Sequence, residues 1–262
     1  MRTLKLTVAY DGSRYAGWQI QQMRSGKLKV GSGGSQKPTI QETLEQVVAQ
    51  ILQEKVRVVG SGRTDAGVHA LAQVAHVRIK SRLPTERLLH GLNALLPPDI
   101  AVTQLKESKN GFHARFDAVR KRYRYRLFTG AVVPPFIRPY VHHVRVPLNL
   151  ALMRREAAAL KGRHNFRAFA RAGGPPGGAI RTMTDVRLLR VSHELQFEIE
   201  GTGFLHTMVR SIVGTLIYIG RGRLPSGTIR RLLRTQDRTG AGTTAPANGL
   251  VLVDVHYKET GS

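Results

Sequence analysis

The chain has 262 residues, with 41 Lys and Arg against 17 Asp and Glu, a formal net charge of +24. Its hydrophobic fraction of 41% suits a folded core rather than a disordered chain, and the absence of cysteine excludes disulfides, cysteine zinc sites, iron–sulfur clusters and thiol nucleophiles. A positive excess of this size, spread through elements that read as folded, points to a polyanionic partner, with nucleic acid first.

Leu4 to Tyr10 alternates in polarity and reads as a strand, not as an apolar leader peptide. A turn, DGSRYAGWQ, follows, and then a Gly/Ser/Lys-rich stretch, RSGKLKVGSGGSQKP, that reads as an insertion. Thr39 and Glu42 have capping-box spacing and open a helix with Ile40, Leu44, Val47, Val48, Ile51 and Leu52 on its apolar face. VRVVG is a short strand, QVAHVRI another, Thr85 to Leu96 a helix stopped by Pro97, and IAVTQL a further strand.

The pattern then restarts. RKRYRYRLF (Arg120 to Phe128) is a strand, and Asn149 caps a helix running to about Leu160. After the loop RAGGPPGGA, DVRLLRV and ELQFEIEG read as paired strands, Phe204 to Ile219 and Pro225 to Leu233 as helices, and LVLVDVHY as the last strand. The run Met208 to Ile219 is too short to span a bilayer and contains Arg210, so no membrane association is expected, and a cytoplasmic location is. Each half reads as β-α-β-β-α-β. The expectation is an α+β protein of two ferredoxin-like (RRM-like) halves, residues 1–110 and 111–262, with antiparallel sheets joined across a central cleft that suits a ligand.

Several motifs fail on their chemistry. GSGGSQKPT has P-loop composition, but Pro38 stands where a magnesium-binding hydroxyl belongs. No G-x-S-x-G elbow is present, and the ten histidines have no metal-ligand spacing. GSGRTDAGVHA (Gly60 to Ala70) is different. It joins two strands that a hairpin of two to five residues would connect, its glycines permit unusual dihedrals, and Arg63 favours an ionised Asp65. Such a carboxylate serves as nucleophile or general base, or else it merely caps an Asx turn.

In RKRYRYRLF, Tyr123, Tyr125 and Leu127 share one face, and Arg122, Arg124 and Arg126 the other. The aromatic face suits base stacking and the arginines suit phosphates; the alternative is a tyrosine core with a solvated arginine surface. On FLHTMVRSIVGTL, His206, Arg210 and Gly214 form a stripe beside a wide apolar surface. Arg210 needs a partner there, with Asp65 a candidate, and Gly214 admits a neighbouring backbone.

YDGSRYAGWQ, GRTDAGVHA, FHARFDAVRKRYRYRL, FLHTMVRSIVGTL and TAPANGLVLVDV, in that order, resemble the TruA family of tRNA pseudouridine synthases over nearly the whole chain. The insertion around Lys27 to Gln36 departs from the family pattern. The resemblance implies the pseudouridine synthase fold and an isomerase that converts uridine to pseudouridine at positions 38, 39 and 40 of the tRNA anticodon stem-loop, as a homodimer, with no cofactor or metal. It implies Asp65 as nucleophile, Arg210 as its basic partner, Tyr123 stacking on the uracil, Arg63 holding the target nucleotide out of the stack, and Leu250 packing at the base. Whether Asp65 attacks C1′ or C6, or takes a ribose proton, the residues leave open. Two competing readings are a non-catalytic RNA-binding protein and a ribonuclease using His69, His113 or His206.

Overall fold

The structure is a computed structural model that describes residues 1–19, 37–171 and 178–258. The insertion at Lys27 to Gln36 and most of the RAGGPPGGA loop lie outside the described residues. The chain divides into two compact units, Met1–Asp117 and Ala118–Ser262.

The first unit runs β1 (Arg2–Tyr10), α1 (Ile40–Leu52), β2 (Val58–Gly60), β3 (His69–Ile79), α2 (Thr85–Leu95) and β4 (Ile100–Ser108). Its strands lie in the order β4-β1-β3-β2, and every neighbouring pair is antiparallel. Period two explains the sheet's two faces. Leu4, Leu6 and Val8 are fully buried, while the alternating Lys5 and Thr7 belong to the opposite face. The Thr39 hydroxyl accepts the Glu42 amide at 3.1 Å to start α1, whose Ile40, Leu44, Val47 and Val48 are buried. Pro84 opens α2, and Leu88 and Leu92 are its buried positions.

The second unit runs β5 (Ala118–Phe128), β6 (His142–His143), α3 (Leu150–Ala158), β7 (Gly162–Asn165), β8 (Ile180–Val191), β9 (Glu194–Gly201), α4 (Met208–Gly220), α5 (Thr228–Thr235) and β10 (Leu250–Tyr257). Strands β10, β5, β9, β8 and β7 are antiparallel neighbours in that order, and β6 pairs parallel with the end of β5. Without the additions β6, β7 and α5, this is the same β-α-β-β-α-β chain and the same strand order as in the first unit, which is the split arrangement expected of both halves.

Several boundaries differ from the sequence reading. Residues 111–117 group with the first unit, a few residues past the boundary read near 110. The reason is packing: the Ala114 amide donates to the imidazole of His76 on β3 at 3.1 Å. Strand β3 starts at His69, which shortens the connecting loop to residues 61–68. Helix α4 starts at Met208 rather than Phe204, because Thr207 is left-handed (φ 61°) and Phe204 turns onto the Tyr123 ring. Helix α5 starts at Thr228, after Gly227 with φ 83°.

Candidate active site

In the first unit, the loop carrying Asp65 is bound at nearly every position. At its start, the Ser61 amide donates to the Val74 carbonyl at 2.7 Å and its hydroxyl to Gln73 at 2.7 Å, while the Gln73 amide returns to the Gly62 carbonyl at 3.1 Å. In its middle, buried Thr64 accepts the Trp18 amide on its carbonyl at 3.1 Å, and its hydroxyl lies 2.9 Å from the Tyr10 hydroxyl. Burial raises Tyr10 to about 12 despite the Thr64 and Gln73 hydrogen bonds, so it stays a neutral phenol. At its end, the Val68 amide closes a turn onto the Asp65 carbonyl at 3.1 Å, with Gly67 at φ 77°.

The scaffold behind this loop is the YDGSRYAGWQ segment. A Cβ on Gly12 would stand 2.0 Å from the Val68 carbonyl oxygen, so only glycine lets the two chains lie so close. The Gly12 amide also donates to His69 Nδ1 at 3.1 Å. Pro38 and the start of α1 in turn hold the segment: Ala16 donates to the Pro38 carbonyl, and Ile40 and Gln41 donate to the Gly17 and Trp18 carbonyls. Trp18 itself is 2% exposed. The outcome is a rigid loop on which Thr64 points inward, Asp65 is partly exposed, and Arg63 is exposed and hydrogen-bonded to Gln19. The sequence reading named Asp65 and Arg63 but not Thr64, Gln73 or Trp18, which hold them; the Gly-Trp pair was their only local signal.

In the second unit, Tyr123 sits on β5, facing Leu252 of β10 and Ile199 of β9, with its ring edge-on to Phe204 at 4.9 Å between centroids. Leu250 faces Tyr125 across the same strand pair, so it is the diagonal neighbour of Tyr123 on one face, and both are buried. Tyr125 is a core residue: it is fully buried, its hydroxyl donates to the Pro246 carbonyl at 2.7 Å, and burial raises its pKa against the opposing effect of Arg210. Arg210 Nε donates to the Ala245 carbonyl at 2.8 Å, and the Ala245 amide donates to the Arg210 carbonyl at 3.1 Å. Gly214 is the second close approach: a Cβ there would stand 1.7 Å from the Thr243 carbonyl oxygen. Residues 243–246 are thereby held flush to α4, and Tyr123, Leu250 and Arg210 are gathered in this unit. Asp65 and Arg63 stand in the first.

Two sequence expectations are refined. The arginines of β5 do not stand alone on their face: each is paired with a glutamate of β9 while remaining partly exposed. Arg122 donates to Glu200 at 2.7 and 3.1 Å, Arg124 to Glu198 at 2.7 Å, and Arg126 bidentately to Glu194 at 2.7 and 3.0 Å. The Arg126 hydrogen bond holds Glu194 below its ordinary value. Burial pushes Glu200 up, but Arg122 and Thr184 outweigh it and hold it low. The stripe of His206, Arg210 and Gly214 loses its first member, since His206 precedes α4. Of the ribonuclease histidines, His69 and His113 accept backbone amides on Nδ1, and His69 Nδ1 also lies 3.1 Å from the Asp11 carboxylate.

Comparison with known proteins gives the family. A family model described as tRNA pseudouridine synthase matches residues 6–117 and 157–258. The chain is 40% identical over 257 residues to the tRNA pseudouridine synthase A of Thermoanaerobacter sp. (strain X514), covering 98% of this chain and 100% of that protein. It is 41% identical over 262 residues to that of Limosilactobacillus reuteri (strain DSM 20016), covering 98% and 97%. It is also 41% identical over 257 residues to that of Moorella thermoacetica, covering 98% and 100%. The chain therefore belongs to the tRNA pseudouridine synthases, isomerases that convert uridine to pseudouridine in tRNA.

Proposed function

We propose that this isomerase acts on uridines 38, 39 and 40 of the tRNA anticodon stem-loop, with Asp65 as the nucleophile. The observation that carries the reading is the loop at residues 61–68: bound along its length, it leaves a partly exposed carboxylate at Asp65. The reaction breaks the C1′–N1 glycosidic bond, turns the uracil, and forms a C1′–C5 bond; the C5 proton leaves to solvent and N1 gains one. The change is redox-neutral. A uracil inside a stem must first be extruded, at a cost of about a few kcal/mol. Arg63, exposed beside Asp65, fills the gap that the extruded nucleotide leaves. Tyr123 stacks on the uracil, Leu250 packs against it, and Arg210 is the basic partner of Asp65. Their shared unit, and the common face of Tyr123 and Leu250, support this reading. The net charge of +24 supplies phosphate attraction that weakens steeply with salt. The active form is a homodimer in the cytoplasm.

The test uses tRNA carrying tritium at C5 of uridine. Wild-type protein releases the label to water, and Asp65→Asn releases none above background while still binding tRNA within a few-fold. Full release by Asp65→Asn removes Asp65 from the chemistry. Mapping pseudouridine in the treated tRNA by mass then tests positions 38, 39 and 40, and sedimentation tests the dimer.

A further inference from the structure

We propose that Phe116, backed by His113 and flanked by Arg115, is a stacking platform on which the tRNA substrate lays an unpaired base. The platform is built on the polar face of the first unit's sheet. Lys5 of β1 and His76 of β3 are directly paired, so they share the face opposite Leu4 and Leu6. The segment after β4 lies along that face. His76, 5% exposed, accepts the Ala114 amide on Nδ1 at 3.1 Å, and its ring meets Phe112 edge-on at 6.1 Å. The Lys5 ammonium stands 5.4 Å from the Phe112 ring. The His113 ring lies 4.8 Å from that of His76.

From there the segment turns outward and is fixed. His113 Nδ1 accepts the amides of Arg115 at 3.2 Å and Phe116 at 3.3 Å, and the His113 amide donates to the Asp117 carboxylate at 2.9 Å. The Phe116 ring rests on His113, with centroids 4.3 Å apart and planes 31° apart, and the Arg115 guanidinium is 5.7 Å from its centre. Yet Phe116 is 74% exposed. A core phenylalanine would be covered; this one is exposed although its own backbone amide and the His113 ring beneath it hold it in place. What this arrangement offers is a pre-ordered, largely exposed aromatic ring with a cation over it. Such a pair recognises a base through its π-face and the adjoining phosphate through the guanidinium. In a chain of net charge +24 that works on tRNA, RNA is the occupant that matches both. The inference rests on tRNA being the substrate.

The test compares Phe116→Ala with Phe116→Trp at fixed salt and pH 7.5. Stacked bases contribute enough that Phe116→Ala is expected to raise KM for tRNA about tenfold, with kcat within twofold and an unchanged melting temperature. Phe116→Trp restores KM to within about twofold. The chain's one tryptophan, Trp18, is buried, so tRNA added to Phe116→Trp changes emission from the new indole, a readout that does not depend on turnover. An unchanged KM in Phe116→Ala, a rise in KM that Trp fails to rescue, or no emission change with tRNA overturns the platform. So does a change in sedimentation of Phe116→Ala with tRNA binding intact, which assigns the ring to a contact with a second copy of the chain. Loss of tritium release by the wild type itself would instead count against the tRNA isomerase reading, and the emission titration would still decide the platform.

Discussion

The two units share one strand order but join their second and third strands in opposite ways. In the second unit, Val191 pairs with Glu194, so only Ser192 and His193 connect β8 to β9. In the first, residues 61–68 stand between β2 and β3, although those strands are also antiparallel neighbours. Nothing in the topology requires the longer connection. Ordering a residue costs about 1–2 kcal/mol of backbone entropy, so an eight-residue loop stays fixed only if other groups hold it. Here Tyr10, Trp18, Gln73 and Gly12 do so, from two different elements and the segment between them. The surplus length and its anchoring have no counterpart in the matching connection of the sister unit, and that difference supports the proposed catalytic role of this loop.

The sharpest way to break the comparison is to alter both connections. Asp65→Asn is expected to take tritium release to background, whereas His193→Ala in the matching connection leaves it within twofold. Next in size is Gly12→Ala. The added methyl would meet the Val68 carbonyl, which is backbone and cannot rotate away. Overpacking of this kind costs about 1–3 kcal/mol, and the scaffold of the loop must shift. The expected result is a melting temperature lower by several degrees together with at least a tenfold fall in turnover. Gly111→Ala is the control: its φ of 88° strains an alanine, but nothing lies within 4 Å of the new Cβ, so stability falls slightly and turnover holds.

These positions also show what the sequence made legible. The strand and helix order of both units follows from periodicity, because Leu4, Leu6 and Val8, or Ile40, Leu44 and Val48, announce buried faces by their spacing alone. The Asp65 loop was legible because acids are few and glycines cluster there. The start of α4 was not: Leu205 fits the helical spacing, and the left-handed Thr207 that ends the turn is set by Phe204 packing on Tyr123, a contact between residues far apart in sequence. The glutamate partners of the β5 arginines were illegible for the same reason. Glu194, Glu198 and Glu200 lie on β9, and only the register brings the pairs together.

The polar faces of the two sheets provide a finer comparison, this time on acidification. In the first unit, burial, then the charges of His113 and Arg78, lower His76 from 6.5 to about 4. The unfolded chain therefore takes up a proton that the folded one refuses, and stability falls as pH drops from about 6.5 toward 4. In the second unit, Glu194 and Glu200 are held below 4.5, so their contribution is present above that value and is lost only as pH falls further, through their folded values. Glu200→Gln at pH 7 strips a buried carboxylate from Arg122, Arg120 and Thr184 and is expected to cost about 2 kcal/mol by denaturant unfolding. His76→Gln is expected to flatten the limb between pH 6.5 and 4, worth about 3 kcal/mol, and to leave the limb below 4.5 in place. Loss of both limbs in His76→Gln would mean that the units do not titrate separately.

The smallest expected effect returns to the short connection. Ser192 is left-handed, with φ 54°, a conformation that costs a residue with a Cβ about 1 kcal/mol. Ser192→Gly removes that strain, but glycine also gains freedom in the unfolded chain, which opposes it by about 0.5–1 kcal/mol. The two nearly cancel, so stability should change by less than about 0.5 kcal/mol and turnover not at all. The Thr129 amide and hydroxyl still donate to the His193 carbonyl, at 2.9 and 3.1 Å, which keeps the hairpin in register whichever residue stands at 192. A two-residue turn that tolerates this change, beside an eight-residue loop that does not tolerate Gly12→Ala, would separate a connection that serves the fold from one that serves the reaction. A turnover loss in Ser192→Gly greater than twofold would erase that distinction.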